Sequence, residues 1–170
     1  VNGDGRPDLF VGNDGAANKL WLNLGNSTGK KQVGVGPGEA GTSASSYSAA
    51  WGDVNGDGRL DLFVGTKGGS PNELWLNQAD GTWVQQTGAG PGKAGTKAST
   101  LTAAWGDANG DGRLDLFVGN YEAANELWLN VPCAPGFSNE FKPGGASCLT
   151  CPHGGLASTG SQVLLYIRSN

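Results

Sequence analysis

The sequence contains no methionine, one histidine (His153), three cysteines and only 15% charged residues. Each scarcity excludes something. A single histidine, placed near one end, leaves no repeated Ser-His-Asp set from which a hydrolytic site could be built. A net charge of −4 with no basic patch excludes the electrostatic footprint of a nucleic-acid binder. No apolar run is long enough to span a membrane as a helix. The nearest, Val163-Leu164-Leu165-Tyr166-Ile167, has a quarter of the needed length. Helical apolar periodicity is absent over any useful window.

What the sequence has in abundance is glycine, 31 residues, and repetition. Asp53-Val54-Asn55-Gly56-Asp57-Gly58-Arg59-Leu60-Asp61 recurs as Asp107-Ala108-Asn109-Gly110-Asp111-Gly112-Arg113-Leu114-Asp115. A third copy, lacking its first acid, occupies Asn2, Asp4, Gly5, Arg6 and Asp8. Asp4, Asp57 and Asp111 are 53 and 54 residues apart, and Trp21, Trp75 and Trp128 are 54 and 53 apart. The period extends to Trp51 and Trp105 and to the Gly-Pro-Gly turns at 36–38 and 90–92. It therefore covers residues 1–130, as repeats 1–50, 51–104 and a partial 105–130, followed by a tail at 131–170. Within a period, runs of four to seven β-prone residues are bounded by Gly, Asn, Asp or Pro. Four short antiparallel strands per repeat describe a propeller blade. The expected fold is all-β: roughly three blades, an incomplete propeller, with an irregular tail. The chain reads as a fragment of a longer protein, because a closed propeller needs about 4 to 8 blades.

The repeated loop has the chemistry of a calcium site. Oxygen-bearing side chains stand at positions 1, 3, 5 and 9, the carbonyl of position 7 adds an oxygen, and glycine at position 6 allows a sharp bend. The expected ligands are Asp53, Asn55, Asp57, Arg59 (by its carbonyl) and Asp61 in one loop. In the next they are Asp107, Asn109, Asp111, Arg113 and Asp115, and more weakly Asn2, Asp4, Arg6 and Asp8 serve the first. The arginine side chains are expected to project outward. Asn-Gly and Asp-Gly hairpin turns alone would explain the glycines. They would not explain acids at positions 1, 5 and 9 in both complete copies, which repel one another without a cation. An EF-hand is a poor match: position 12 is Val64 or Val118 rather than Glu, and no helices flank the loop.

The run Trp-Gly-Asp-x-Asn-Gly-Asp-Gly-Arg-Leu-Asp-Leu-Phe-Val-Gly, followed by Asn-Glu-Leu-Trp-Leu-Asn, resembles the FG-GAP/VCBS repeats that build integrin α-subunit β-propellers. It is most similar to the cartilage acidic protein type, through Gly81-Thr82-Trp83. The resemblance implies that the loop joins the first and second strands of each blade and holds a structural Ca2+. It also implies an extracellular module for adhesion or ligand binding, with a protein or carbohydrate ligand and further blades as partners. No catalytic residue is expected. A lyase-type propeller of a secreted carbohydrate-active protein and a plain spacer are the alternatives. The recurring tryptophans fit packing between blades. Trp83, which Gly29 replaces in the first repeat, is the candidate for an exposed, ligand-stacking role. Asn26-Ser27-Thr28 is a glycosylation sequon, with Asn26 the acceptor.

The tail resembles an ephrin-receptor-like cysteine-rich repeat through Cys148-Leu149-Thr150-Cys151-Pro152-His153-Gly154. Three cysteines leave one unpaired in a disulfide scheme. Cys133–Cys148 is the expected bridge, since Cys148 and Cys151 would close a strained small ring. A zinc site from Cys133, Cys148, Cys151 and His153 is the rival reading.

Overall fold

The computed structural model describes residues 1–26, 28–32, 36–37, 45–68, 70–86, 99–131 and 140–142. Every regular element among them is a strand. Strands β1 (Leu9–Val11), β2 (Lys19–Gly25) and β3 (Thr28–Lys31) form the first sheet. The second holds β4 (Ser46–Gly52), β5 (Asp61–Thr66), β6 (Glu73–Asn77) and β7 (Trp83–Gln85). The third holds β8 (Ser99–Gly106), β9 (Asp115–Tyr121), β10 (Glu126–Val131) and β11 (Glu140–Lys142). In each sheet consecutive strands are antiparallel neighbours, so each sheet is one meandering blade, whose first strand, β4 or β8, lies mostly before the repeat boundary expected at 51 or 105. The fourth strand of the third blade, β11, comes from beyond residue 130.

The repeat is reproduced down to register. Trp51 pairs with Leu62 and Leu62 with Trp75, while Trp105 pairs with Leu116 and Leu116 with Trp128. Cross-strand partners share a face, so these residues line one face of their blade. Bulges interrupt β4 between Ser46 and Ser48 and β8 between Thr100 and Thr102, one period apart.

The core lies between blades rather than within them. Phe63, Leu74 and Val54 of the second blade pack against Leu116, Val118 and Trp128 of the third. Leu20 and Phe10 of the first blade pack against Leu62, Val64, Trp75, Trp83 and Trp51 of the second. A four-stranded sheet this small has two apolar faces and must bury each on a neighbour. Close approach is permitted where side chains are missing. A Cβ on Gly52 would lie 2.8 Å from the Trp105 ring, and one on Gly65 2.6 Å from Thr100 Cγ2, both across the second interface.

The tryptophan assignment divides. Trp75 and Trp128 are buried between blades as expected. The exposed role for Trp83 is overturned: it is 4% exposed, its ring 6.2 Å from that of Trp51. It also stacks closely on Gly36, where an added Cβ would come within 3.0 Å of it. The extra aromatic of repeat 2 extends the interface core.

Candidate cation-binding loops

The two complete loops join the first strand of their sheet to the second, β4 to β5 and β8 to β9. The Asp-x-Asn-Gly-Asp-Gly run bends because Gly56 and Gly58 sit at φ +74° and +83°, and Gly110 and Gly112 at +77° and +82°. Nothing lies within 4 Å of a Cβ built at these four glycines. They are therefore required for the left-handed backbone itself rather than for space.

The side-chain oxygens turn onto the loop's own amides. Asp53 accepts from the N–H of Asp57 (3.0 Å) and of Gly58 (2.8 Å), and Asn55 accepts from Asp57 N (3.1 Å). Asp107 and Asn109 repeat this on Asp111 and Gly112. Those backbone N–H bonds hold the Asp107 carboxyl below its ordinary range. In the first loop, Asn2 accepts from Asp4 N and Asp4 from Arg6 N.

The arginines do not project outward as expected. Arg59 donates through Nε to the carbonyl of Asn77 (2.8 Å) and through Nη2 to Asp57. Arg113 does the same with Asn130 and Asp111, and Arg6 with Asn23 and Asp4. Each guanidinium ties the position-5 carboxylate to the strand that pairs with the one following its loop, β2, β6 or β10. The sequence carried the signal in the near-constant spacing, 17, 18 and 17 residues, of Arg6, Arg59 and Arg113 from Asn23, Asn77 and Asn130.

Position 9 is buried. Asp61 is fully enclosed and accepts from Val54 N (3.0 Å) through Oδ2 and Asn77 N (2.9 Å) through Oδ1. Asp115 repeats the pair with Ala108 N and Asn130 N. Burial pushes the Asp61 carboxyl up to about 6; the two backbone bonds oppose this, and the charges of Asp57 and Asp53 reinforce it. Asp8 shifts the other way. Burial raises it, but the amino terminus of Val1 and the amides of Asn23 and Asn2 outweigh that and lower it.

Asparagines in β6 and β10 also cross to the preceding blade. Asn130 Nδ2 donates to the carbonyl of Val54 (2.7 Å), and Asn77 Nδ2 to the carbonyl of Val1 (3.0 Å). The position-2 residue of a loop thus gives its N–H to its own position-9 aspartate and its C=O to the next blade. A continuous chain of bonds runs from Asp8 through Val1, Asn77, Asp61, Val54 and Asn130 to Asp115.

The family model of the FG-GAP-like repeat matches residues 1–64 and 53–118, each window running from one loop to just past the next. This chain belongs to the FG-GAP-like repeat family. No curated protein matches the chain. In the FG-GAP-like chain described here, the loops bring Asp53, Asn55 and Asp57 to one exposed turn and place Asp61 beneath it. Among the described residues, no three acidic, histidine or cysteine side chains converge as a metal cluster. The donor set is nonetheless the hard-oxygen kind a calcium ion takes. Burial first, and the charges of Asp57 and Asp53 after it, disfavour the ionised Asp61 carboxyl; a cation on the turn would oppose both, so the residues fit one. Asn26 is exposed, at φ +53° in the turn between β2 and β3. Cys133, Cys148, Cys151 and His153 lie outside the described residues.

Proposed function

We propose that this chain is a non-catalytic, extracellular repeat module for adhesion or ligand binding whose blades are braced by Ca2+. Asp53, Asn55, Asp57, Asp61 and the carbonyl of Arg59 would hold one ion, and the equivalent set from Asp107 to Asp115 a second. The first loop, without its position-1 acid, would bind weakly. The ion would add positive charge to a turn that holds three carboxylates, of which only the position-5 one is paired with the loop arginine among the described residues. The carrying observation is the geometry: Asp53, Asn55 and Asp57 share one exposed turn over the buried Asp61, whose carboxyl is pushed up to about 6 by burial first and by the charges of Asp57 and Asp53 last. Asp61 is bonded to both strands it joins, so a charge held against it bears directly on the hairpin.

The reading is supported by membership of the FG-GAP-like family and by repetition of the loop in each blade. The likeness to the cartilage acidic protein type and to a cysteine-rich tail belongs to this proposal. The carbohydrate-active alternative rested on an exposed Trp83, and its burial withdraws that support. Isothermal titration of metal-free protein with calcium tests the proposal. About two ions per chain are expected, and Asp57→Ala should remove one and spare the other, because the loops belong to different blades. No heat of binding at millimolar calcium would overturn it.

A further inference from the structure

The sequence holds three Asn-Gly pairs, Asn2-Gly3, Asn55-Gly56 and Asn109-Gly110, and each stands at positions 3 and 4 of a loop. Asn-Gly is the pair most prone to cyclise, because glycine leaves its backbone nitrogen unshielded toward the asparagine side chain. The two complete loops expose both residues of the pair. Nothing lies within 4 Å of a Cβ built at Gly56 or Gly110, so the approach to either nitrogen is open. The electrophile is primed alike in both loops. Asn55 Oδ1 accepts from Asp57 N at 3.1 Å, and Asn109 Oδ1 from Asp111 N at 3.0 Å. A donor on that oxygen favours the negative charge that develops there on attack.

The nucleophile separates the two loops. Gly110 N donates to Asp107 Oδ1 at 2.7 Å, and Asn109 Nδ2 donates to Asp111 Oδ2 at 2.8 Å. In the third-blade loop, carboxylates therefore hold both the attacking nitrogen and the leaving group. Removing the Gly110 proton would also set a negative nitrogen against the Asp107 charge. Gly56 N and Asn55 Nδ2 have no partner among the described residues, because Asp53 accepts from Asp57 N and Gly58 N instead. The adjoining Asp-Gly pairs are restrained in both loops, since Gly58 N and Gly112 N each donate to the position-1 aspartate at 2.8 Å. Asn55-Gly56 is thus the unrestrained pair of the two complete loops.

We propose that Asn55 is a site of spontaneous covalent modification, cyclising with Gly56 and converting to aspartate or isoaspartate, while its counterpart Asn109 is held back. The Gly56 nitrogen forms a bond to Cγ of Asn55, and the bond from Cγ to Nδ2 breaks. The proton lost from Gly56 N goes to the leaving amide nitrogen, which departs as ammonia. Water then opens the cyclic imide. Opening at Cγ yields aspartate. Opening at the backbone carbonyl carbon leaves the chain running through Cβ and Cγ, as isoaspartate. Either product carries a carboxylate where an amide stood, adding one more acid to Asp53, Asp57 and Asp61, and isoaspartate also lengthens the loop backbone. What this does to a bound cation rests on the calcium reading, but the reaction itself needs only water and stands without it.

Timed incubation of the full chain in excess chelator at mildly alkaline pH tests this. Peptide mapping by mass spectrometry follows the conversion of each asparagine, and enzymatic methylation detects isoaspartate. Asn55 should convert at least about threefold faster than Asn109, the effect of one hydrogen bond on the attacking nitrogen. The same incubation in denaturant should bring the two rates together, because the bonds that separate them are gone. Asp107→Ala frees Gly110 N and should raise the rate at Asn109. Far-ultraviolet circular dichroism establishes that this variant is folded, and should it unfold, the wild-type comparison of native with denatured chain decides alone. A smaller native ratio, or faster conversion at Asn109, overturns the proposal. So does a ranking that persists in denaturant, an Asn55 that stays intact while the denatured chain converts, or an Asn109 rate unmoved in folded Asp107→Ala.

Discussion

The first and second blades carry nearly the same motif, yet Leu9 is 60% exposed where Leu62 is fully buried. Trp21 is 37% exposed where Trp75 is 5% exposed and bonded to Glu73 through Nε1. Lys19 stands in the first blade where Glu73 stands in the second. The motif sets strand, register and loop in both blades. Whether its apolar residues form a core depends on having a blade on each side, and only the second blade has both among the described residues. Stability in this architecture is a property of neighbours.

That contrast is sharpest in truncation. Leu62→Ala opens a cavity at the first interface and should cost about 2–5 kcal/mol. Leu9→Ala, at the matching position, should fall within about 0.5 kcal/mol of wild type. Urea unfolding of both variants measures the difference. Equal effects would mean that each blade is stable by itself.

The position-9 aspartates separate the blades by pH. Asp61 has its folded value raised to about 6 from 3.8, so its contribution is full below 3.8 and is lost as pH rises through 6. Buried Glu73 is also raised, by burial against the Trp75 bond, and acts in the same direction. Asp8 is lowered, so its contribution is lost only as pH falls below the ordinary carboxylate range. Metal-free protein should therefore lose stability between pH 4 and pH 6.5, by up to about 3 kcal/mol for a shift of two units. The midpoint of urea unfolding at the two pH values checks this. A rise over that window would show that Asp61 is already compensated without a cation.

Smaller effects are expected at the asparagine bonds between blades. Asn130→Ala leaves the Val54 carbonyl and the interface without their donor and should cost about 1–3 kcal/mol. Asn23→Ala loses only the bond to Gly25 N and should cost about 0.5–1.5 kcal/mol, the net worth of one such bond. Thermal unfolding compares the pair, and a reversed order would remove the asparagine bond from the account of blade docking.

Much of this was legible in the sequence. The period located three blades and the turn residues located the strands, while the place of the two complete loops between first and second strands was what the family resemblance implied. Asp61 and Asp115 were found as loop acids, but their burial was not. That depends on two backbone N–H groups, one sixteen residues away in β6, which spacing within the loop cannot reveal. Arg59 and Arg113 were assigned only by their carbonyls, because the strand-end carbonyl that attracts the guanidinium lies outside the loop. Trp83 was misplaced for a related reason. Lacking a counterpart in repeat 1, it looked free of the periodic core, whereas the space it fills is shared with Trp51 and Gly36.

The central claim is that cations brace these loops, and the melting temperature of metal-free protein measures it most directly. Binding selective for the folded state adds about 2.7 kcal/mol per site at a hundredfold excess over Kd, a large part of a small domain's margin. Calcium should raise the melting temperature clearly over the same protein in excess chelator. Asp57→Ala should lose part of that rise, through the second-blade loop alone. Identical melting curves with calcium and with chelator, for protein verified free of metal, would contradict the account and leave the loops as turns held by their own amides.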